Sequence, residues 1–199
     1  MGEITVEQIV SADGFAMDRQ GGIGFFDAID FGEQSRRDTE QMRWIDGVDA
    51  ILFGRRTYEM FADYWPAIDP RDDAVAGPIG ALPKFVVSRS LTRAPWGDDG
   101  DIEVLQHGPE AAARTVKERH RSIAIWGSLQ LSDALFTAGL VDRLRLRQVP
   151  ILLGQGRSIA PTVAHTALRL EHSVASAEGI VTSQYRVVGG GGSARERDN

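Results

Sequence analysis

The sequence predicts an α/β domain with a mostly parallel central sheet, helices on both faces and an antiparallel hairpin at its C-terminal end. Three observations predict it. Short apolar runs centred on Ala50–Phe53, Phe85–Val87 and Ile123–Trp126 read as strands covered on both faces. Helical patterns separate these runs, as in a parallel sheet joined by crossovers. The last two segments, Leu168–Val174 and Ile180–Val188, alternate apolar and polar residues with no helix between them. Residues 1–188 therefore form one domain, and Gly189–Asn199 is a polar, flexible tail.

Composition narrows the chemistry. The 199 residues, 42% apolar, suffice for a single core. Without cysteine there is no disulfide, thiolate metal site or thiol nucleophile, and the four histidines are too scattered to form a zinc pair. A net charge of −6 argues against nucleic-acid binding. No apolar run reaches the ~18 residues of a membrane helix. The N-terminus lacks the basic and apolar regions of a secretion signal, and Val6 breaks the myristoylation pattern, so a cytoplasmic protein is expected.

In chain order, Ile4–Val10 is the first strand, and Asp13-Gly14 turns it. Residues 16–34 are a long loop with four glycines and Phe25, Phe26 and Phe31; such a loop suits a lid over a ligand and equally a segment pinned to the core. Ser35–Ile45 reads as a helix with Asp38, Met42 and Ile45 on one face, which places the carboxylate at the edge of the core. After strand 50–53, Gly54-Arg-Arg-Thr57 opens a helix whose Tyr58, Phe61 and Trp65 share a face. The helix dipole, free N–H groups and two guanidinium groups suit a phosphate there, and a plain surface turn fits the same residues.

Pro66–Pro83 reads as an irregular connection, followed by strand 84–88 and a short strand 102–105. Pro109 opens a helix running to Arg119, and a second helix after Gly127-Ser128 ends at Gly139. Val141–Val149 sets Leu144 and Leu146 against Arg143, Arg145 and Arg147, which predicts one covered face and one wet face or face bound by another chain. Three strand ends, at Gly54–Thr57, Ser88–Ser90 and Gly127-Ser128, together suit an extended, multiply phosphorylated ligand.

Ser11–Gly14, Gly54–Glu59 with Tyr64-Trp-Pro66, Lys84–Ser90, Ile123–Ser128 and Gly139–Asp142 leading into Pro150–Gly156 stand in one order over residues 4–188. In this the chain resembles the dihydrofolate reductase-like superfamily, and most closely its riboflavin-biosynthesis reductase branch, the RibD C-terminal domain. The resemblance implies a three-layer α/β/α fold, bound NADPH and hydride transfer to a pyrimidine- or pterin-like heterocycle, as in 5-amino-6-(5-phosphoribosylamino)uracil reductase. By position, Gly54, Arg55, Arg56 and Thr57 would hold the cofactor pyrophosphate. Ser88, Arg89 and Ser90 would hold the adenosine ribose and its 2′-phosphate, a group suited to NADPH over NADH. Gly127, Ser128, Leu129 and Gln130 would lie beside the nicotinamide and phosphates; Ser128 stands where the family has a second glycine.

The resemblance also places an acid on the helix before Gly54, sixteen residues upstream, where this chain has Asp38, with Glu40 the fallback. A buried carboxylate there would orient the heterocycle and assist its protonation, whereas an exposed one would make a weak pair with Arg36 or Arg37. Asp13 is the second catalytic candidate, or only shapes its turn. Metal is expected to be absent, and so is a fused deaminase, whose zinc site needs cysteines. Two other readings stand beside this one: a true dihydrofolate reductase, and a non-catalytic nucleotide-binding dimeric scaffold. A homodimer is expected through the terminal strands, with their arginines facing outward; nucleic-acid and membrane partners are not.

Overall fold

The computed structural model describes residues 1–26, 39–159, 162 and 165–188. Phe31, Asp38 and the 189–199 tail lie outside them. The strands are β1 (Glu3–Ser11), β2 (Phe15–Met17), β3 (Ala50–Gly54), β4 (Lys84–Val87), β5 (Glu103–Leu105), β6 (Ser122–Trp126), β7 (Arg143–Val149), β8 (Arg157–Ser158), β9 (Ala167–Ala175) and β10 (Val181–Val188). The α-helices are α1 (Thr39–Ile45), α2 (Arg55–Tyr64), α3 (Ala76–Ala81), α4 (Pro109–Arg119) and α5 (Leu129–Thr137). Eight strands form one sheet in the order β5-β4-β3-β6-β1-β7-β10-β9, and β2 pairs with β8 beside it. Neighbours from β5 to β7 run parallel, while β10 runs antiparallel to both β7 and β9. This is the dihydrofolate reductase-like architecture expected from the sequence.

Each face of the sheet has its own apolar cluster, which makes three layers. On one face Ile4, Val6, Leu52, Ile123 and Ile125 pack against Ala112, Ala113 and Val116 of α4 and Leu131 and Leu135 of α5. On the other, Ile51, Phe53, Val86 and Trp126 pack against Ile45 of α1, Tyr58 of α2 and Ile79 of α3. The Tyr58–Phe61–Trp65 stripe does face this core. Asp142 fastens β7 at its start: its Oδ2 accepts the Ile4 N–H at 2.7 Å and the buried Lys117 Nζ at 2.6 Å.

Two features differ from the sequence reading. The connection 66–83 contains α3, whose Ala-Gly-Pro-Ile-Gly-Ala has little helix propensity; burial of Ile79 at 1% exposure holds it. The arginines of β7 do not simply face outward. Arg145 is 1% exposed, because the β1–β7 register sets it opposite Glu7, itself 3% exposed. The Arg145 guanidinium pairs with Glu7, donates to Gln41 Oε1 at 2.6 Å and stacks 4.8 Å from the Trp44 ring. Glu7 Oε1 in turn accepts Gln41 Nε2 and Trp126 Nε1, both at 2.9 Å. Arg143 has partners too: it bridges Glu3 and Glu171, which Arg186 also contacts.

Removing one member of a buried pair strands the other charge. Arg145→Ala is expected to lower the unfolding free energy by about 3–5 kcal/mol. Urea denaturation checks this, and Arg145→Met combined with Glu7→Leu should be no less stable than either change alone.

Candidate functional site

The carboxyl ends of β1, β3, β4 and β6 open onto a cleft of about 510 Å³. Helix α2 begins directly after β3, so Gly54, Arg55 and Arg56 form one lip. Ser88 and Arg89, just past β4, extend it. The start of α5, Gly127 through Gln130, forms the floor beside Trp126. First-turn N–H groups of a helix have no intrahelical acceptor and suit an anion.

The Gly127-Ser128 turn has an unusual backbone. Gly127 has φ +56° and Ser128 φ +54°; among the described residues Ser128 is the one non-glycine in this region. A left-handed serine costs on the order of 1–2 kcal/mol. Its side chain offsets that: Ser128 Oγ accepts the Gly54 N–H at 2.9 Å, and Ser128 N–H donates to Thr57 Oγ1 at 2.9 Å. Gln8 Nε2 and Ser132 Oγ both donate to the Gly127 carbonyl. Ser128 therefore joins the two turns.

The remaining candidates fall into two groups. Thr57 is buried and braces Ser128 instead of lining the cleft. Ser90 accepts Arg55 Nη1 at 2.8 Å, and Arg55 is also paired with Glu59 at 2.7 Å, so Ser90 anchors one arginine. Ser88 Oγ accepts the N–H groups of Ser90 and Leu91 and shapes the turn after β4. Arg56 and Arg89 are exposed at the lip.

Asp13 lies outside the cleft lining and works as a clamp. Its Oδ1 accepts the Ser11 hydroxyl at 2.6 Å and Leu153 N–H at 3.1 Å, and its Oδ2 accepts Gly154 N–H at 2.6 Å. The Ser11 hydroxyl first, then these two N–H groups, hold the carboxyl down to about 2, so at neutral pH it is an acceptor and not a proton donor. The fallback acid Glu40 is half-buried on α1, 3.7 Å from Arg145 Nη2 and 3.5 Å from His172 Nε2.

A second cavity of about 350 Å³ adjoins the cleft, and Glu7, Ile9, Phe61 and Trp126 line both. Gln41, Tyr64, Trp65, Asp73 and Arg147 give its wall further aromatic and polar groups. Part of the expected lid reaches these sites: Ile23 lines the cleft, while Phe25 is buried against Val149 and Ile180. The sequence reading missed Glu7, Gln41, Arg147 and Arg157, the last of which lines the cleft from β8. The available signal was a glutamate in the middle of the first strand, together with a strand of alternating arginines. Among the described residues no cluster suits a metal ion, and no helix is long and apolar enough to cross a membrane.

Residues 3–182 match the family model of the RibD C-terminal domain. The chain is 25% identical over 118 residues to an uncharacterized protein, YyaP, of Bacillus subtilis (strain 168), covering 58% of this chain and 61% of that protein. A putative riboflavin biosynthesis protein of Shewanella sp. PV-4 has the same fold, with TM-score 0.75 at 18% identity over 94% of this chain and 99% of the other. A diaminohydroxyphosphoribosylaminopyrimidine deaminase/5-amino-6-(5-phosphoribosylamino)uracil reductase of Thermotoga maritima superposes with TM-score 0.62 at 12% identity, over 94% of this chain and 57% of the other. The chain thus spans about three fifths of the curated relative and of this larger protein.

The Asp13 clamp has a pH signature. A carboxyl whose folded pKa is depressed stabilises the fold above its ordinary range near 3.8 and loses that contribution as pH falls toward about 2. The difference in melting temperature between the wild type and Asp13→Ala should hold steady at neutral pH and shrink between about pH 4 and 2.

Proposed function

The chain belongs to the RibD C-terminal domain family, and on that premise we propose that it is a cytoplasmic, NADPH-dependent reductase of a pyrimidine- or pterin-like heterocycle. The observation that carries this reading is the pair of adjoining cavities: an arginine-lipped cleft over the start of a helix, and an aromatic pocket sharing Glu7, Ile9, Phe61 and Trp126 with it. The cleft's donors fit a phosphorylated dinucleotide. Backbone N–H groups at Leu129 and Gln130 face a pyrophosphate, and Arg89, beside the Ser88 turn, takes the 2′-phosphate. Bound there, NADPH supplies the hydride.

The protein's own part is placement. Trp126, with its indole N–H fixed on Glu7, gives the flat wall between the two cavities. Gln41, held by Glu7 and Arg145, presents an amide edge to the second pocket. The apolar rings of Phe61 and Trp65 exclude water from the transfer. In this proposal Asp38 keeps the role of orienting carboxylate.

We also propose a homodimer, built on β9 as the edge strand. All nine of its residues are exposed, and Leu168 and Leu170 stand opposite Val187 and Tyr185 as an apolar strip. An open, partly apolar edge is a template for a second copy. Sedimentation should give twice the 21.7 kDa chain mass; a monomer at tens of micromolar would refute the dimer.

A fluorescence titration tests the cofactor reading, with Trp126 on the cleft wall as donor. NADPH should bind at micromolar concentration and NADH more weakly. Arg89→Ala should weaken NADPH by about 10–100-fold while changing NADH little. A screen of pyrimidines and pterins for NADPH oxidation then tests turnover; tight NADPH binding with no oxidation of any would favour a non-catalytic protein.

A further inference from the structure

The arginines of the cleft do not all come from one side. Arg55 and Arg56 follow β3 and Arg89 follows β4, whereas Arg157 sits on β8, which pairs with β2 immediately after β1. Strands β4 and β1 are three places apart in the sheet, about 14 Å at the usual strand spacing. Arg157 therefore enters from the wall opposite Arg89. It is half-buried, and among the described residues its guanidinium has no hydrogen bond or ion pair. Arg55, by contrast, is already bound by Glu59 and Ser90.

Several features of the chain fix that placement. Met17 pairs with Arg157, and Met17 also lines the cleft. Gly156 makes this pairing close: a Cβ there would lie 2.0 Å from the Met17 carbonyl oxygen, a contact no side chain tolerates. Asp13 ties the preceding turn to the end of β1 through Leu153 and Gly154. The Gly154-Gln-Gly156 turn thus delivers a cation, without a carboxylate partner among the described residues, to the side of the cleft nearest β1.

Resting on the cofactor reading above, we propose that Arg157 is a further cofactor-binding residue that grips the dinucleotide pyrophosphate from the β1 wall, opposite the α2 lip. The 2′-phosphate end belongs to Arg89 on the far side. A pyrophosphate held at the start of α5 would lie in the same cleft as Arg157, and a guanidinium fork suits its paired oxygens.

The test titrates NADPH and NADH into the wild type, Arg157→Gln and Arg157→Lys, with thermal melts to confirm folding. Because both dinucleotides carry the pyrophosphate, Arg157→Gln should weaken both alike, by about tenfold, with Arg157→Lys in between. Unchanged affinity in Arg157→Gln overturns the proposal. So does a loss confined to NADPH, which would assign Arg157 to the 2′-phosphate. If the wild type binds neither dinucleotide, the cofactor reading falls, and this inference with it; if only the variants behave like the wild type, the cofactor reading stands and Arg157 alone is wrong.

Discussion

The site is arranged around one buried ion pair. Glu7 and Arg145 face each other across β1 and β7, and their hydrogen bonds draw in Gln41 from α1 and Trp126 from β6. Burying two charges is favourable only where geometry and further hydrogen bonds compensate for lost water. Here they do so through one connected set, so α1, the central strands and the indole that separates the two cavities hold each other in register. Moving any of the four would leave a buried polar group unmatched, at a penalty of about 1–3 kcal/mol or more. The rigidity of the wall between cleft and pocket follows from that.

The cleft itself depends on turns fixed to one another. Ser128 takes a backbone conformation suited to glycine, and its hydroxyl and N–H bind the Gly54 and Thr57 turn. A glycine at this place would relieve backbone strain and lose the bond to the Gly54 N–H, so the serine exchanges conformational ease for a fixed spacing between the two turns. On the β1 side, Asp13 performs a comparable task with backbone N–H groups of the 150–156 turn. Preorganised walls of this kind let a ligand's phosphates be met without reordering the protein.

Much of this was legible from local pattern. Apolar runs marked the buried strands, and small or basic residues after them marked the turns that line the cleft, Gly54–Arg56, Ser88-Arg89 and Gly127–Gln130. Other features depend on partners distant in the chain. The alternating arginines of β7 read as a wet face or one bound by another chain because the acids that pair with them lie far off in the sequence; Glu7 is 138 residues from Arg145. Helix α3 was illegible because its glycines and proline oppose helix, and only the core contact of Ile79 overrides them. Thr57 and Ser90 read as ligand donors because a hydroxyl in a turn has the same local appearance whether it faces a ligand or a neighbouring turn.

The sequence by itself determined the main buried strands, the helices between them, the absence of thiol chemistry and the phosphate-suited turns, because propensity, periodicity and composition are local properties. Tertiary structure alone decided that Glu7 and Arg145 are partners, that Asp13 is a clamp held near a pKa of 2, and that Arg157 arrives opposite Arg89. Those outcomes depend on strand register and on which loops meet across the sheet. Both are set by how the whole apolar surface is buried, and no window of the chain contains that information.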